Sequence, residues 1–368
     1  MALMTSRPTL RWLVPAAAAV AVIGGGAAVG TLAAEADPSL PPRNAAQLLV
    51  DLQTAQLEGL SGTVVQSSDL GLPSLPNLGG GNGTADLTSL ITGTNTLRVW
   101  YSGPDKARVA LMGTLGETDV IRNKADVWIW ASKENKATHY TLSEEQAKEP
   151  LHEGVPTTPQ EAADRALAAI DPTTEVTTSG TAKVAGRDAY ELVLAPRDKA
   201  SLVGQVRIAI DATEHVPLRF EVFPKDSDKA AFQVAFTQVD FDRPDDQQFA
   251  FNPPAGVKVE EAKPDTGAAD RHEQKFDDSG MTSVGTGWTT VVVAKAGDAT
   301  APAEGSEGEA ADAAGLLKAL PEVSGAWGRG HLLKGTVFSV LLTEDGRVLA
   351  GLVSPERLYE VAATPAGK

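Results

Sequence analysis

The 368-residue sequence contains no cysteine. That absence excludes disulfide frameworks, thiolate metal sites, cysteine nucleophiles and lipid attachment through a cysteine. Basic residues are in deficit. The 32 Lys and Arg against 48 Asp and Glu leave a formal net charge of −16, which argues against a broad basic face for nucleic acid. Histidines number only five, and none stands in an HExxH arrangement or at metal-ligand spacing, so zinc catalysis has no support. There is no GxSxG elbow either. The reading is therefore of a chain that is not an enzyme and needs no cofactor. Aromatics make up 5% of the residues, so the placement of each Trp and Phe is informative. What is present is a globular composition, 42% hydrophobic and 22% charged, at a length that suits about two domains.

The first segment reads as an export signal. Arg7 and Arg11 precede an uncharged run from Trp12 to Ala34, which ends in the small-residue triplet Ala34-Glu35-Ala36. Two readings stay open: a signal peptide over residues 1–36, cleaved after Ala36, or an uncleaved signal anchor. The run is long enough to cross a bilayer, but its glycines and Pro15 weaken it as a helix. Residues 37–43, DPSLPPR, read as a tether.

Beyond it, Asn44 can cap a helix while Gln47 reaches back, and Ala45, Leu48, Leu49, Leu52 and Ala55 form one apolar stripe that Gly59 ends. A strand over Leu60 to Gln66 follows, then a Gly, Pro, Ser and Asn-rich stretch to Gly83 that reads as a mobile loop. From Leu97 the pattern is one of strands joined by short turns: LRVWYS, ARVALM, DVIRNKADVWIW, ATHYTL, AYELVLAP, QVRIAIDA, PLRFEVFP and AAFQVAFTQVDF. A helix capped at Thr158, with Pro159 in its first turn, interrupts them before Asp171. About ten strands between Leu60 and Phe251 with two helices predict one large antiparallel meander covered on one side. Residues 263–280 read as a linker. The remainder, 281–368, reads as a small C-terminal domain: a strand near Gly287 to Lys295, an insertion from Gly297, a helix around Ala310 to Leu320, a VFSVLL and VLAGLV hairpin, and a helix opened by Ser354-Pro355. It is too short for a large core and is expected to dock on the first domain.

Two local clusters invite chemistry and are better explained without it. Asp240, Asp242, Asp245 and Asp246 lack the glycine and distal glutamate of an EF-hand loop, and a solvated strand end accounts for them. The run GGGNGT at residues 79–84 has neither the spacing nor the flanking strand of a phosphate loop. The stronger signal is hydrophobic. Tyr190, Leu192 and Leu194, then Val206, Ile208 and Ile210, then Leu218, Phe220 and Val222, then Phe232, Val234 and Phe236 alternate so that successive strands supply one apolar sheet face. The second helix offers mainly alanines to cover it, which leaves either a collapsed core or a cavity able to take an acyl chain. Strand 127–130 is apolar on both sides, with Trp128 and Trp130 opposite Val127 and Ile129.

These residues resemble the LolA/LolB lipoprotein-carrier superfamily, closest to its RseB/MucB-type two-domain envelope regulators. The resemblance covers about residues 44–262. It rests on V-x-G-x-x-x-Y-x-L at Val184, Gly186, Tyr190 and Leu192, on Ile210-Asp211 with Pro217 on the return strand, and on F-x-F-x-P-P-x-G at Phe249, Phe251, Pro253, Pro254 and Gly256. It implies an α+β, mainly β fold: a large antiparallel unclosed half-barrel covered by helices, plus a small C-terminal domain. It further implies an exported carrier or sensor, peripheral to or tethered at the membrane, that binds lipid or lipoprotein acyl chains in an apolar cavity. The alternative is a module that binds the extracytoplasmic part of an anti-sigma factor. The candidate cavity lining is Val99, Trp100, Leu111, Trp128, Ile129, Tyr190, Leu192, Leu194, Ile208, Ile210, Leu218, Phe220, Val234 and Phe236.

Overall fold

A computed structural model of the chain describes residues 40–71, 93–113, 116–143, 158–168, 170–262, 281–295 and 320–364. The export signal, the Gly-rich stretch beyond Gly71, the linker at 263–280, the insertion and the body of the helix expected around 310–320 lie outside the described residues.

The first helix, α1 (Ala45–Thr54), begins as the sequence predicts. The Asn44 side chain accepts from Gln47 N and the Gln47 side chain from Asn44 N, both at 2.9 Å, so two of the helix's orphan donors are satisfied reciprocally. Leu48 and Leu52 are its buried residues. The helix ends at Thr54, with Ala55 as C-cap, before Gly59 is reached.

The strands that follow number twelve in one sheet. They are β1 (Leu60–Ser68), β2 (Gly93–Tyr101), β3 (Lys106–Met112), β4 (Glu117–Asn123), β5 (Asp126–Ala131), β6 (Lys136–Thr141), β7 (Thr174–Val184), β8 (Arg187–Pro196), β9 (Val203–Asp211), β10 (Pro217–Pro224), β11 (Phe232–Asp240) and β12 (Lys258–Glu261). Between β6 and β7 stands α2 (Pro159–Ala168). The spatial order is β12-β6-β5-β4-β3-β2-β1-β11-β10-β9-β8-β7, and the sheet does not close on itself. Two antiparallel meanders, β2 to β6 and β7 to β11, are thus joined by β1, which pairs with β2 on one side and β11 on the other.

Two strands escape the sequence reading. β7 carries five exposed residues, Gly180 among them, in a Thr-rich edge position, so it lacks the apolar alternation that marks a half-buried strand. β12 has only four residues and pairs parallel to β6 at the other edge. The motifs behind the family resemblance are structural devices. Ala185 and Gly186, at φ 52° and 76°, form the two-residue turn between β7 and β8, the geometry that favours glycine in a tight hairpin. Asp211 closes the turn after β9: its carboxylate accepts from Thr213 N at 2.9 Å, Glu214 N at 2.7 Å and the Arg187 guanidinium.

A second, six-stranded antiparallel sheet follows, made of β13 (Thr282–Val284), β14 (Val291–Lys295), β15 (Glu322–Gly325), β16 (Gly328–Lys334), β17 (Ser339–Thr343) and β18 (Arg347–Gly351) in the order β13-β14-β18-β17-β16-β15. The strand expected from Gly287 begins instead as a 3-10 turn, Gly287–Thr289. Helix α3 (Pro355–Ala363) packs on β17 and β18. The buried Arg347 guanidinium ties it down, donating to Ala362 O at 3.0 Å. Val291, Leu341, Leu349, Val353, Leu358 and Val361 form a small core here.

This sheet docks on the large one along three seams. Leu202 N donates to Leu352 O and Thr336 N to Leu70 O, at 2.8 and 2.7 Å, and Trp288 Nε1 donates to Thr174 Oγ1 at 2.9 Å. Trp288, Val337, Phe338 and Leu352 belong to the large sheet's core rather than to their own.

Candidate functional site

Strand register decides which side chains share a face. Val99 opposes Val109, which opposes Val120, which opposes Ile129. Tyr190 opposes Ile210, and Leu192 opposes Ile208, which opposes Phe220 and then Val234. These residues form the inner face.

The inner face has two unlike halves. Over β8 to β11, Leu192, Leu194, Ile208, Ile210, Leu218 and Val234 are fully buried, with Phe236 at 1% exposure. They join Leu48 and Leu52 of α1, Ala162 and Ala163 of α2 and the four residues from the second sheet in one cluster. Tyr190, Phe220 and Val99 complete it. This half is a filled core. Helix α2 lies close against β10 and β11, and the second sheet contributes Phe338 and Trp288 to the same cluster. Tyr190 has a further role: its hydroxyl donates to Pro41 O at 2.9 Å and Arg43 lies 5.7 Å from its ring. The described part of the segment read as a tether, from Leu40 on, is therefore seated on the domain.

Over β3 to β6 the inner face stays half-buried at Val109, Leu111, Val120, Ile129 and Tyr140. Among the described residues, neither α1 nor α2 makes its main contacts here; they lie against β7 and β8, and against β10 and β11. Burial pushes the Tyr140 phenol above its ordinary pKa. This stretch, with Leu111 and Ile129 from the candidate set, is the less buried part of the inner face among the described residues.

Trp100 and Trp128 stand apart from the other candidates. Trp100 opposes Arg108, which opposes Ile121, which opposes Trp128. Both tryptophans therefore sit on the outer face, one residue out of phase with Val99 and Ile129, and cannot line the concavity. Strand β5 is apolar on both sides because a strap covers its outside. A 3-10 turn at Asp246–Phe249 lies over β3 and β4 with Phe249 buried. Phe251 then packs on Trp128 and Trp130 at ring distances of 5.2 and 6.0 Å. Trp128 also stacks on His139 at 4.2 Å, and that imidazole bridges Glu261 at 2.8 Å and Asp126 at 3.3 Å, pinning β12. The F-x-F-x-P-P-x-G motif is this strap.

The acidic cluster serves the same turn. Asp240 accepts from Asp242 N, Asp245 caps the 3-10 turn through Gln247 N, both at 2.8 Å, and Asp246 pairs with Lys106 at 2.6 Å. Among the described residues no group of three or more His, Asp or Glu is placed to hold a metal ion. No described helix is long and apolar enough to cross a membrane.

The comparisons with known proteins fall on this architecture. Residues 92–260, from β2 to β12, match the family model of the MucB/RseB N-terminal domain. No curated protein matches the sequence significantly. Among solved structures, the chain is similar to the MucA/MucB complex of Pseudomonas aeruginosa, at 16% identity over 87% of this chain and 97% of that one, with a TM-score of 0.42. It is also similar to a LolA superfamily protein from Nitrosomonas europaea, at 10% identity over 57% and 99%, with a TM-score of 0.23. The stretch of the unclosed twelve-stranded sheet from β2 to β12 is thus similar to the MucB/RseB N-terminal domain.

Proposed function

We propose that this chain is an exported, non-enzymatic regulatory module that docks the extracytoplasmic segment of a membrane-bound anti-sigma factor. The observation that carries the reading is the MucB/RseB N-terminal match over residues 92–260. It is supported by the filled inner face over β8 to β11, where six candidate cavity residues are fully buried. A packed core of this kind leaves a protein partner to be met on surfaces. The excess of acid, −16 over the whole chain, favours a partner segment of net positive charge and would speed its association. Solved complexes of MucB with the periplasmic part of MucA exist, and that pairing is the pattern proposed here.

The test is a binding titration of the exported chain against the purified extracytoplasmic segments of the host's anti-sigma factors. A saturable one-to-one complex with one segment, weakening as salt rises, is the expected result. Failure to bind any of them overturns the reading.

A second reading has its own observation. The half-buried Val109, Leu111, Val120 and Ile129 form an apolar strip on the inner face of β3 to β6. Burying an acyl chain there contributes about 0.8 kcal/mol per CH2. Native mass spectrometry of protein recovered from its host checks it: co-purifying lipid that Leu111→Asp removes supports lipid carriage, and lipid-free protein rejects it.

A further inference from the structure

The outer face carries a groove that neither reading uses. It runs along β1, with Ser61 and Thr63 on its floor, Arg98 and Trp100 of β2 on one wall, and Gln238 and Asp240 of β11 on the other, and encloses about 240 Å³. That volume suits one or two side chains and is too small for a folded element. Its walls stand two strand spacings apart, about 10 Å. A bulge in β11 shapes it: Thr63 opposes Gln238 but the next residue, Val64, opposes Phe236, which leaves Thr237 unpaired, its hydroxyl donating to Thr63 O at 3.2 Å. Bulges of this kind re-aim side chains and recur beside binding sites.

The Arg98 wall is built from the inside out. Asp119 is 1% exposed and holds the Arg108 guanidinium; Arg108 also donates to Gln248 O at 3.4 Å. The Arg108 guanidinium lies 5.0 Å from the Trp100 ring centroid, and so does that of Arg98. Arg108 is thus held by a buried acid through a direct ion pair, while the exposed Arg98 is positioned on the same ring and feels Asp119 only through its field. A guanidinium held in place by stacking loses less rotamer freedom when it binds, so more of the contact energy appears as affinity. Across the groove, Asp240 repels a second negative charge and accepts hydrogen bonds.

We propose that this groove binds an acidic side chain of a partner polypeptide in extended conformation, the carboxylate on Arg98 and an adjacent peptide N–H toward Asp240. One carboxylate with a neighbouring donor fits both walls. Phosphate fits one wall and is repelled by the other.

The experiment uses the full exported chain, the Trp100 indole N–H resonance assigned through Trp100→Phe, and the capped peptide Thr-Glu-Thr as probe. The expected result is a saturable shift with millimolar Kd, at least tenfold weaker for Thr-Gln-Thr, and lost in Arg98→Gln while the remaining indole resonances stay in place. No saturable shift up to 20-fold above that range overturns the proposal. So does an equal response to the Glu and Gln peptides, or tighter binding of inorganic phosphate at the same resonance. The outcome is independent of whether an anti-sigma factor is ever bound.

Discussion

Trp288 Nε1 donates to Thr174 Oγ1 at 2.9 Å, across the seam between the second sheet and the first strand of the β7 to β11 meander. The indole reaches that far because Gly287, at φ 62°, passes so close to Thr173 that a Cβ there would lie 2.1 Å from its hydroxyl oxygen. Side chains other than hydrogen are excluded on both counts. Trp288→Ala removes a large buried side chain shared by both sheets, and a loss of about 3–5 kcal/mol in urea unfolding is expected. Gly287→Ala should open the same seam, read as faster proteolysis between the sheets, while Trp288→Phe should retain most of the packing.

The Arg187–Asp211 pair makes the protein acid-sensitive. Burial alone would raise the Asp211 pKa, but the Arg187 hydrogen bond and the amides of Glu214 and Thr213 outweigh it and hold the carboxyl below its ordinary range. A lowered folded pKa contributes stability that is present above the unfolded value, near 3.8, and is lost as pH falls below it. Asp211→Asn should cost about 2–3 kcal/mol at neutral pH, the scale of hydrogen bonds to a charged group, and should flatten the acid limb of a plot of urea midpoint against pH.

Glu221 shows the opposite sign. It pairs with Arg219 at 3.0 Å on the outer face, where Arg219 also holds Glu191 at 2.5 Å. Burial raises its pKa, and the attraction of Arg219 only partly offsets this. A raised folded pKa means that stability is greatest below the unfolded value, near 4.5, and falls as pH rises through the folded one. Glu221→Gln should therefore shrink the difference in urea midpoint between pH 4.5 and pH 8, with Arg219 still held by Glu191.

Because Trp128 clamps the strap from outside, its removal should affect order rather than ligand capture. Trp128→Ala forfeits the Phe251 and His139 contacts, about 0.5–1.5 kcal/mol each beyond area burial. Amide exchange should rise selectively over residues 246–261. Binding of a lipid or a partner on the inner face should be unchanged. A coincident loss of inner-face binding would place Trp128 where its register does not.

Much of this architecture was legible beforehand. The capping box at Asn44 and Gln47 and the alternation in β8 to β11 are local signals, each set by a few neighbouring residues. The two-sided strand at 127–130 was legible as a pattern, but its cause was not. Alternation tells that Trp128 and Ile129 lie on opposite faces without telling which face turns inward, and Trp100 is misassigned for the same reason.

The sequence by itself determined that the chain builds a mainly antiparallel sheet with two interspersed helices, does so without disulfides, and carries a continuous apolar face. Only the tertiary structure decided how that face is used. Whether an apolar strip becomes core or cavity depends on what packs against it, and here Trp288, Val337, Phe338 and Leu352 come from a second sheet that lies far along the chain from β8. The setting of Arg98 between Trp100, Asp119 and Asp240 is likewise a property of strands brought side by side, since no window of the sequence holds these residues together.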